Sequence, residues 1–326
     1  MKNSQPRFPN FHVVSYYTGY VVLGTAMLMG IPLLTSVLMA EWTPALDFTI
    51  SMCVTVIAGL LMMILGRRTH TDNLQVDWKL GFIIAALSWI ILMFLCSIPY
   101  VLSGHTKSLL DGCFDVMSGF TTTGLVMMQD LDHLSTGLNM WRHMLTFIGG
   151  QGMVVLALSF LGNHIGGAYK MYCGEGKDIK LLPNVKDTAR FIWKISMVYL
   201  LAGTLALWVC GMVIGLSPLP AFLHGLYIFE SAWSTGGFAP NTQNMMYYHS
   251  FAYEIITIIF FVLGSLNFGL HYAIWQGKKK EMVKNIEVQS FFVTSFLLAA
   301  FAVMKLSQSG VYTNAIASFR RVVYTV

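Results

Sequence analysis

Two tetrapeptides hold the residue types that could do chemistry in this chain. Thr121-Thr122-Thr123-Gly124 and Ser234-Thr235-Gly236-Gly237 each set hydroxyl side chains beside glycine. Glycine reaches backbone angles closed to other residues, so such a run can turn successive carbonyl oxygens toward one axis. Rings of carbonyls replace the water shell of a potassium ion, and the threonine hydroxyls can brace the loop or add a ligand. Taken alone, each tetrapeptide also reads as an ordinary turn at a helix end, and repetition is what favours the ion-binding reading. Residues 111–124 and 224–237 align without a gap, matching Gly112 with Gly225, Ser118 with Ser231, Phe120 with Trp233, Thr122 with Thr235 and Gly124 with Gly237.

Each tetrapeptide ends an apolar run too short to cross a bilayer, residues 109–120 and 221–233. A half-helix that dips into the membrane and hands over to extended backbone has this pattern, and such backbone survives only where it lines water or is buried in protein. The C-termini of these half-helices would present the negative end of the helix dipole, which favours cations. Phe120 and Trp233 precede the tetrapeptides and either wedge the half-helices in place or pack as plain core. Asp111, Asp115 and Glu230 are expected to attract cations or to support the filter. Asp130 and Asp132 read better as solvated loop charge. An acidic group on the apolar stretch around Glu230 is expensive unless partnered, so it reads as either a helix-to-loop bond or a cation attractor.

The elements that must position these loops are membrane spans. The 326 residues are 56% hydrophobic and 11% charged, with mean hydropathy +0.63, whereas soluble domains carry about 25% charged residues. Seven stretches are long enough to span, at about 20 apolar residues each: 14–39, 43–66, 80–101, 141–161, 195–216, 252–275 and 288–304. With the N-terminus inside, the outer segments keep Lys107, Arg142, Lys305, Arg320 and Arg321, and the remaining fifteen of the 20 basic residues fall inside. That asymmetry fits seven spans with both half-helices entering from outside. The expected fold is therefore an all-α membrane protein made of repeated span–pore helix–span units, preceded by two extra transmembrane helices. Its parts are an N-terminal two-helix membrane domain (1–72), a first pore repeat (73–165), a cytoplasmic linker (166–194), a second pore repeat (195–280) and the start of a third (281–326).

Other chemistries find little support. The nine histidines show no metal-ligand spacing with one another or with cysteine, so no transition-metal site is expected. His143, His224 and Glu230 could in principle build a proton or metal site, but their spacing does not argue for one. Cys53, Cys96, Cys113, Cys173 and Cys210 show no paired spacing. No phosphate-binding Gly-Lys-Ser/Thr motif is present, so nucleotide control would come from another chain. The basic residues sit in loops between spans and do not suggest nucleic acid. The first ten residues are polar and the apolar stretch after them is too long for a leader core, so no cleavable signal peptide is expected. Arg142, at the outer end of span four, would snorkel or pair with a pore-loop carboxylate. Gly149-Gly150-Gln151-Gly152 and Gly264-Ser265 would allow close helix approach or a bend, and Asn267 would bond a neighbouring helix.

In combination these motifs resemble the TrkH/KtrB/HKT superfamily of potassium transporters, most of all its TrkH branch. The likeness rests on residues 120–125, on Trp141-Arg142 leading into 147–157, on Thr235-Gly236-Gly237-Phe238, and on 267–272 with the basic loop that follows. It implies four pore repeats around one pseudo-fourfold pathway, with Gly124 and Gly237 as the first two filter glycines and potassium as the transported ion. No cofactor is implied in the chain itself. The implied setting is a multi-pass protein of the bacterial inner membrane among membrane lipid, either a homodimer or a half-pore completed by a second chain. A cytoplasmic nucleotide-binding regulatory subunit of the TrkA/KtrA kind would dock on the basic loops 170–194 and 278–284. Measured against that pattern, the chain stops inside its third pore helix. It is expected to be a truncated member, and the alternative to conduction is a membrane protein that only assembles with or regulates a full-length relative.

Overall fold

The computed structural model describes residues 9–66, 78–152, 185–278, 280–308 and 320, and every regular element among them is helical. The first rod is α1 (Pro9–Leu28) and α2 (Gly30–Leu38). Pro32 has no N–H for the rung to Leu28, and the rod is interrupted at Met29. It runs antiparallel to α3 (Trp42–Gly66). Small residues let the two backbones approach: a Cβ on Gly19 would sit 2.9 Å from the Gly59 carbonyl oxygen. Ser15 donates to Met62 O at 2.8 Å across the same seam.

The first repeat follows as α4 (Trp78–Leu102), the short α5 (Leu109–Phe120) and α6 (Thr136–Gln151). The second has α7 (Val185–Val213), the short α8 (Pro218–Trp233), a 3-10 turn (Asn244–Tyr248), α9 (Phe251–Ser265) and α10 (Phe268–Trp275). A one-turn α11 (Glu281–Lys284) leads to α12 (Ile286–Gln308). At 1.5 Å per residue, α5 and α8 are roughly 18 and 24 Å long, short of a hydrocarbon core of about 30 Å. Both start on a serine, and Ser108 Oγ accepts from Asp111 N at 3.2 Å.

Helix α6 is the centre of the molecule. Nearly all its side chains are buried, against α2, α5 and α8. The N-terminal hairpin holds its start. Glu41, in the α2–α3 turn, accepts from Thr136 N at 2.9 Å, from Thr136 Oγ1 at 2.8 Å and from Gly137 N at 3.3 Å. A carboxylate at a helix N-terminus satisfies orphan N–H groups and meets the positive end of the dipole. Trp141 donates to Cys96 O at 3.1 Å and meets Phe48 edge to face at 6.3 Å, which locks α6 to α4 and α3.

Several boundaries differ from the expected ones. Among the described residues, five helices are long and apolar enough to cross a membrane, or six if the bent pair α9–α10 is one span. Span six is broken: α9 and α10 meet at 99°. Leu266 is extended, and Asn267 does not bond a neighbouring helix; its side chain caps α10, accepting from Gly269 N at 2.7 Å. His271 Nε2 lies 2.9 Å from the Leu263 carbonyl oxygen, which also accepts from Leu266 N at 3.3 Å. Span four is described only to Gly152, and its helix starts at Thr136 instead of 141 because Ser135 caps it, accepting from Leu138 N at 3.3 Å. Helix α7 starts at Val185, so the last ten residues of the expected linker are helical. Charge made them read as loop, yet Asp187 and Arg190 lie one turn apart and pair at 3.8 Å. Residues 153–184, which include Cys173 and most of the basic loop 170–194, lie outside the described residues, as does the third pore helix apart from Arg320.

Replacing Glu41 with Ala is expected to lower stability by about 1 kcal/mol through loss of the α6 cap. In detergent that should appear as a fall of a few degrees in the thermal unfolding midpoint, and an unchanged midpoint would show that the cap contributes nothing.

Candidate ion-filter site

The two tetrapeptides adopt one backbone shape. Thr121 and Ser234 end their helices in near-helical conformation, with φ −84° and −80°. Thr122 and Thr235 then take left-handed angles, φ 52° and 55°, and Gly124 and Gly237 take φ 77° and 76°. The turn bonds correspond as well. Thr122 N reaches Gly119 O at 3.0 Å and Thr123 N reaches Ser118 O at 2.8 Å; Thr235 N reaches Ala232 O at 3.0 Å and Gly236 N reaches Ser231 O at 2.9 Å. This arrangement closes a helix on a left-handed residue. Glycine usually occupies that position, so a β-branched threonine there is a backbone outlier in both loops. Such residues cluster where function over-determines the backbone.

Glycine is required where the loops meet. A Cβ on Gly124 would strike the Gly236 carbonyl oxygen, and one on Gly236 would strike Thr146 Oγ1. Gly237 has open space around it and keeps only the conformational requirement. The helices behind the loops show the same dependence twice over. A Cβ on Gly149 of α6 would strike Phe120 O, and one on Gly264 of α9 would strike Trp233 O. Each span after a loop therefore lies directly against the last residue of its pore helix.

The expected supporting residues take different positions. Phe120 is buried and meets Trp89 of α4 at 6.1 Å; Trp233 is buried and stacks on Tyr199 of α7 at 4.7 Å. In each repeat the aromatic is thus packed against the preceding span. Asp115 is buried, and its Oδ1 accepts from Met127 N at 2.6 Å, below the first loop. Ser118 Oγ donates to Leu125 O at 2.6 Å. Asp111 lies at the other end of α5, half-buried in the first turn. Glu230 is 4% exposed, and its Oε2 has no hydrogen-bond partner among the described residues. Ser234 Oγ donates to Glu230 O at 2.8 Å, and Thr121 Oγ1 and Thr123 Oγ1 are 2.7 Å apart.

Arg142 neither snorkels nor forms an ion pair within 4 Å among the described residues. It is 1% exposed, and its guanidinium lies 4.7 Å from the Phe238 ring. His143, beside it, is buried, stacks on Tyr227 at 4.9 Å and has its Nδ1 2.7 Å from Asn139 O. Among the described residues no group of three or more His, Cys, Asp or Glu is placed to hold a metal ion.

One contact between the loops has no signal in the spacing. Asp132, which reads as solvated charge, accepts at Oδ1 from Asn241 Nδ2 and from Thr242 N, both at 3.1 Å. It ties the strand after the first loop to the strand after the second. Hydrogen bonds from the Thr242 side chain, then from Asn241, hold its carboxyl below the usual carboxylate range.

Residues 47–318 match the family model of TrkH, described as a cation transport protein. The chain is 29% identical over 266 residues to the Trk system potassium uptake protein TrkH of Vibrio parahaemolyticus serotype O3:K6, covering 79% of this chain and 53% of the relative. It is 31% identical over 263 residues to the Trk system potassium uptake protein TrkG of Escherichia coli K12, covering 77% and 52%. The crystal structure of the potassium transporter TrkH from Vibrio parahaemolyticus superposes with a TM-score of 0.76 at 25% identity, covering 98% of this chain and 63% of that one. The chain thus spans about half the length of these curated relatives. With its apolar helices, this likeness makes it a multi-pass, all-α membrane protein.

The Asp132 tie has a predictable pH dependence. A depressed folded-state pKa stabilises fully above the ordinary value of about 3.9, and the contribution is lost as pH falls through the lower folded value. After correction for intrinsic exchange, amide protection at residues 241–242 should be constant from about pH 8 to 5 and fall only in stronger acid. Asp132→Asn should exchange faster across that range and lack the acid step. Equal protection in the two proteins would remove the carboxylate from the account.

Proposed function

This chain belongs to the TrkH family of cation transport proteins, and from that premise we propose that it is a potassium uptake subunit of the Trk type. In this reading, Thr121, Thr122, Thr123 and Gly124 with Ser234, Thr235, Gly236 and Gly237 line the ion pathway. The observation that carries it is the shared backbone: two loops from different repeats with left-handed threonine and left-handed glycine at matching positions. Carbonyls and hydroxyls held in fixed loops can replace the hydration shell of a cation, and the helix C-termini beneath add negative potential. The relatives are named potassium uptake proteins, which supports potassium as the ion. The N-terminus is cytoplasmic, the membrane is the bacterial inner membrane, and the chain needs no cofactor of its own. A nucleotide-binding regulatory subunit contacts the inner basic loops.

A specific asymmetry favours a pore completed by more protein than the described residues supply. Phe238, directly after the second loop, is 3% exposed against the first repeat, while its aligned counterpart Leu125 is 57% exposed. A second copy or another chain covering Leu125 would close the first loop as the first repeat closes the second. The competing reading is a chain that does not conduct and only assembles with or regulates a longer relative.

Potassium-dependent growth and rubidium uptake in a transport-deficient strain test both. Residues 1–326 should rescue growth, and Gly124→Asp or Gly237→Asp should abolish it. Rescue that survives both changes would refute the filter assignment; failure of the wild-type chain while present in the membrane would favour the non-conducting reading. Alanine separates the glycines further. Gly237→Ala meets no clash and incurs only the left-handed penalty of about 1–2 kcal/mol. Gly124→Ala adds a collision with the Gly236 carbonyl and should be the more damaging.

A further inference from the structure

Arg142 is a cation buried in the interior of a membrane protein, and the bonds it makes are few. Nη1 lies 3.4 Å from Asn139 Oδ1, on its own helix, and 3.4 Å from Ala239 O. Nε and Nη2 have no hydrogen-bond partner among the described residues. A buried guanidinium held so loosely by oxygen is a costly way to pack a helix. Its remaining contact explains the placement. Its guanidinium carbon lies over the ring of Phe238, 4.7 Å from the centroid, a cation–π arrangement that strengthens away from water. Phe238 and Ala239 are the two residues immediately after the filter glycine Gly237. His143 meets the same ring edge to face at 6.3 Å, and a Cβ on Gly119 would sit 3.4 Å from it. The second loop is therefore held at its exit by the first repeat, and Arg142 adds a polar contact to Ala239 and a cation–π contact to Phe238.

The same repeat buries a second ionisable side chain, Asp115 of α5, at 1% exposed. Asp115 also carries the strand after the first loop through Met127 N. Asp115 thus serves the first loop and Arg142 the second. The second repeat has no counterpart. Aligned on the pore helices, Asp115 falls opposite Ile228; aligned on Gly149 and Gly264, Arg142 falls opposite Thr257. Asp115 and Arg142 are thus features of the junction between these two repeats and not a general requirement of the repeat.

We propose that Arg142 is a positioning residue for the second filter loop, holding Phe238 and Ala239 from the first repeat, and that through this it sets which alkali cation the pathway accepts. The ion-discrimination part rests on the cation-conducting reading; the placement part does not.

The test uses the full chain as wild type, Arg142→Gln, Arg142→Lys and Phe238→Leu. Amide exchange in the membrane-reconstituted protein reads placement. In Arg142→Gln, exchange at residues 237–242 should rise by about tenfold while 125–128 stays within about twofold, because the loosening is local. Arg142→Lys, which keeps charge without the planar fork, should fall between. Phe238→Leu should resemble Arg142→Gln, and these two variants decide the matter if Arg142→Gln does not reach the membrane. Equal loosening of both loops, or of neither, overturns the proposal. The ratio of rubidium to sodium uptake reads discrimination and should drop by about fivefold in Arg142→Gln. Lower uptake at an unchanged ratio would mean a merely structural arginine and overturns the discrimination part. No uptake by the wild-type chain would defeat the conducting reading and with it that part, leaving placement to be decided by exchange.

Discussion

Non-helical backbone at membrane depth has to find partners inside the protein, because lipid offers none. Residues 121–124 and 234–237 are non-helical backbone enclosed between apolar helices, and much of the described fold can be understood as the answer to their needs. Each pore helix closes on a left-handed threonine, so its last free carbonyls are used by the loop itself. Beyond the turn, Ser118 takes the Leu125 carbonyl and Asp115 takes the Met127 amide. Behind it, a glycine on the following span allows helix backbone to lie against Phe120 or Trp233. The same constraint shapes α9: where that span breaks at Leu266, His271 reaches the Leu263 carbonyl.

The two repeats are alike in backbone and unlike in surroundings. Aromatic anchors, left-handed pairs and glycine contacts recur, while the buried ionisable residues Asp115, Arg142 and Glu230 do not. Glu230 sits where the first repeat has Met117, and Asp115 where the second has Ile228. Symmetry of the main chain thus coexists with a different electrostatic setting at each loop.

The short helices α5 and α8 are legible because they are duplicated. Their ends at Phe120 and Trp233 followed from the alignment, and the whole of α5 agrees with the apolar run. The start of α8 was read three residues late, although Ser217-Pro218 is a start signal of the serine-cap, proline-first kind. Hydropathy averages over a window, so it saw the apolar residues of 252–275 and not the bend at Leu266–Asn267. It also placed Arg142 at a membrane surface, since burial by other helices leaves no mark on one helix's own hydropathy. The Asp132 bridge and the Glu41 cap join residues about a hundred positions apart, and no local pattern encodes either.

Glu41 also bears on the order in which the chain is made. The carboxylate that caps α6 is synthesised 95 residues before the amide it receives. Synthesis runs from the N-terminus, so the hairpin of α1, α2 and α3 is made before Thr136 and its acceptor precedes its donors. Helix α6 is nearly all buried by its neighbours in the described structure. Its start is thus held by a part of the chain that was made first.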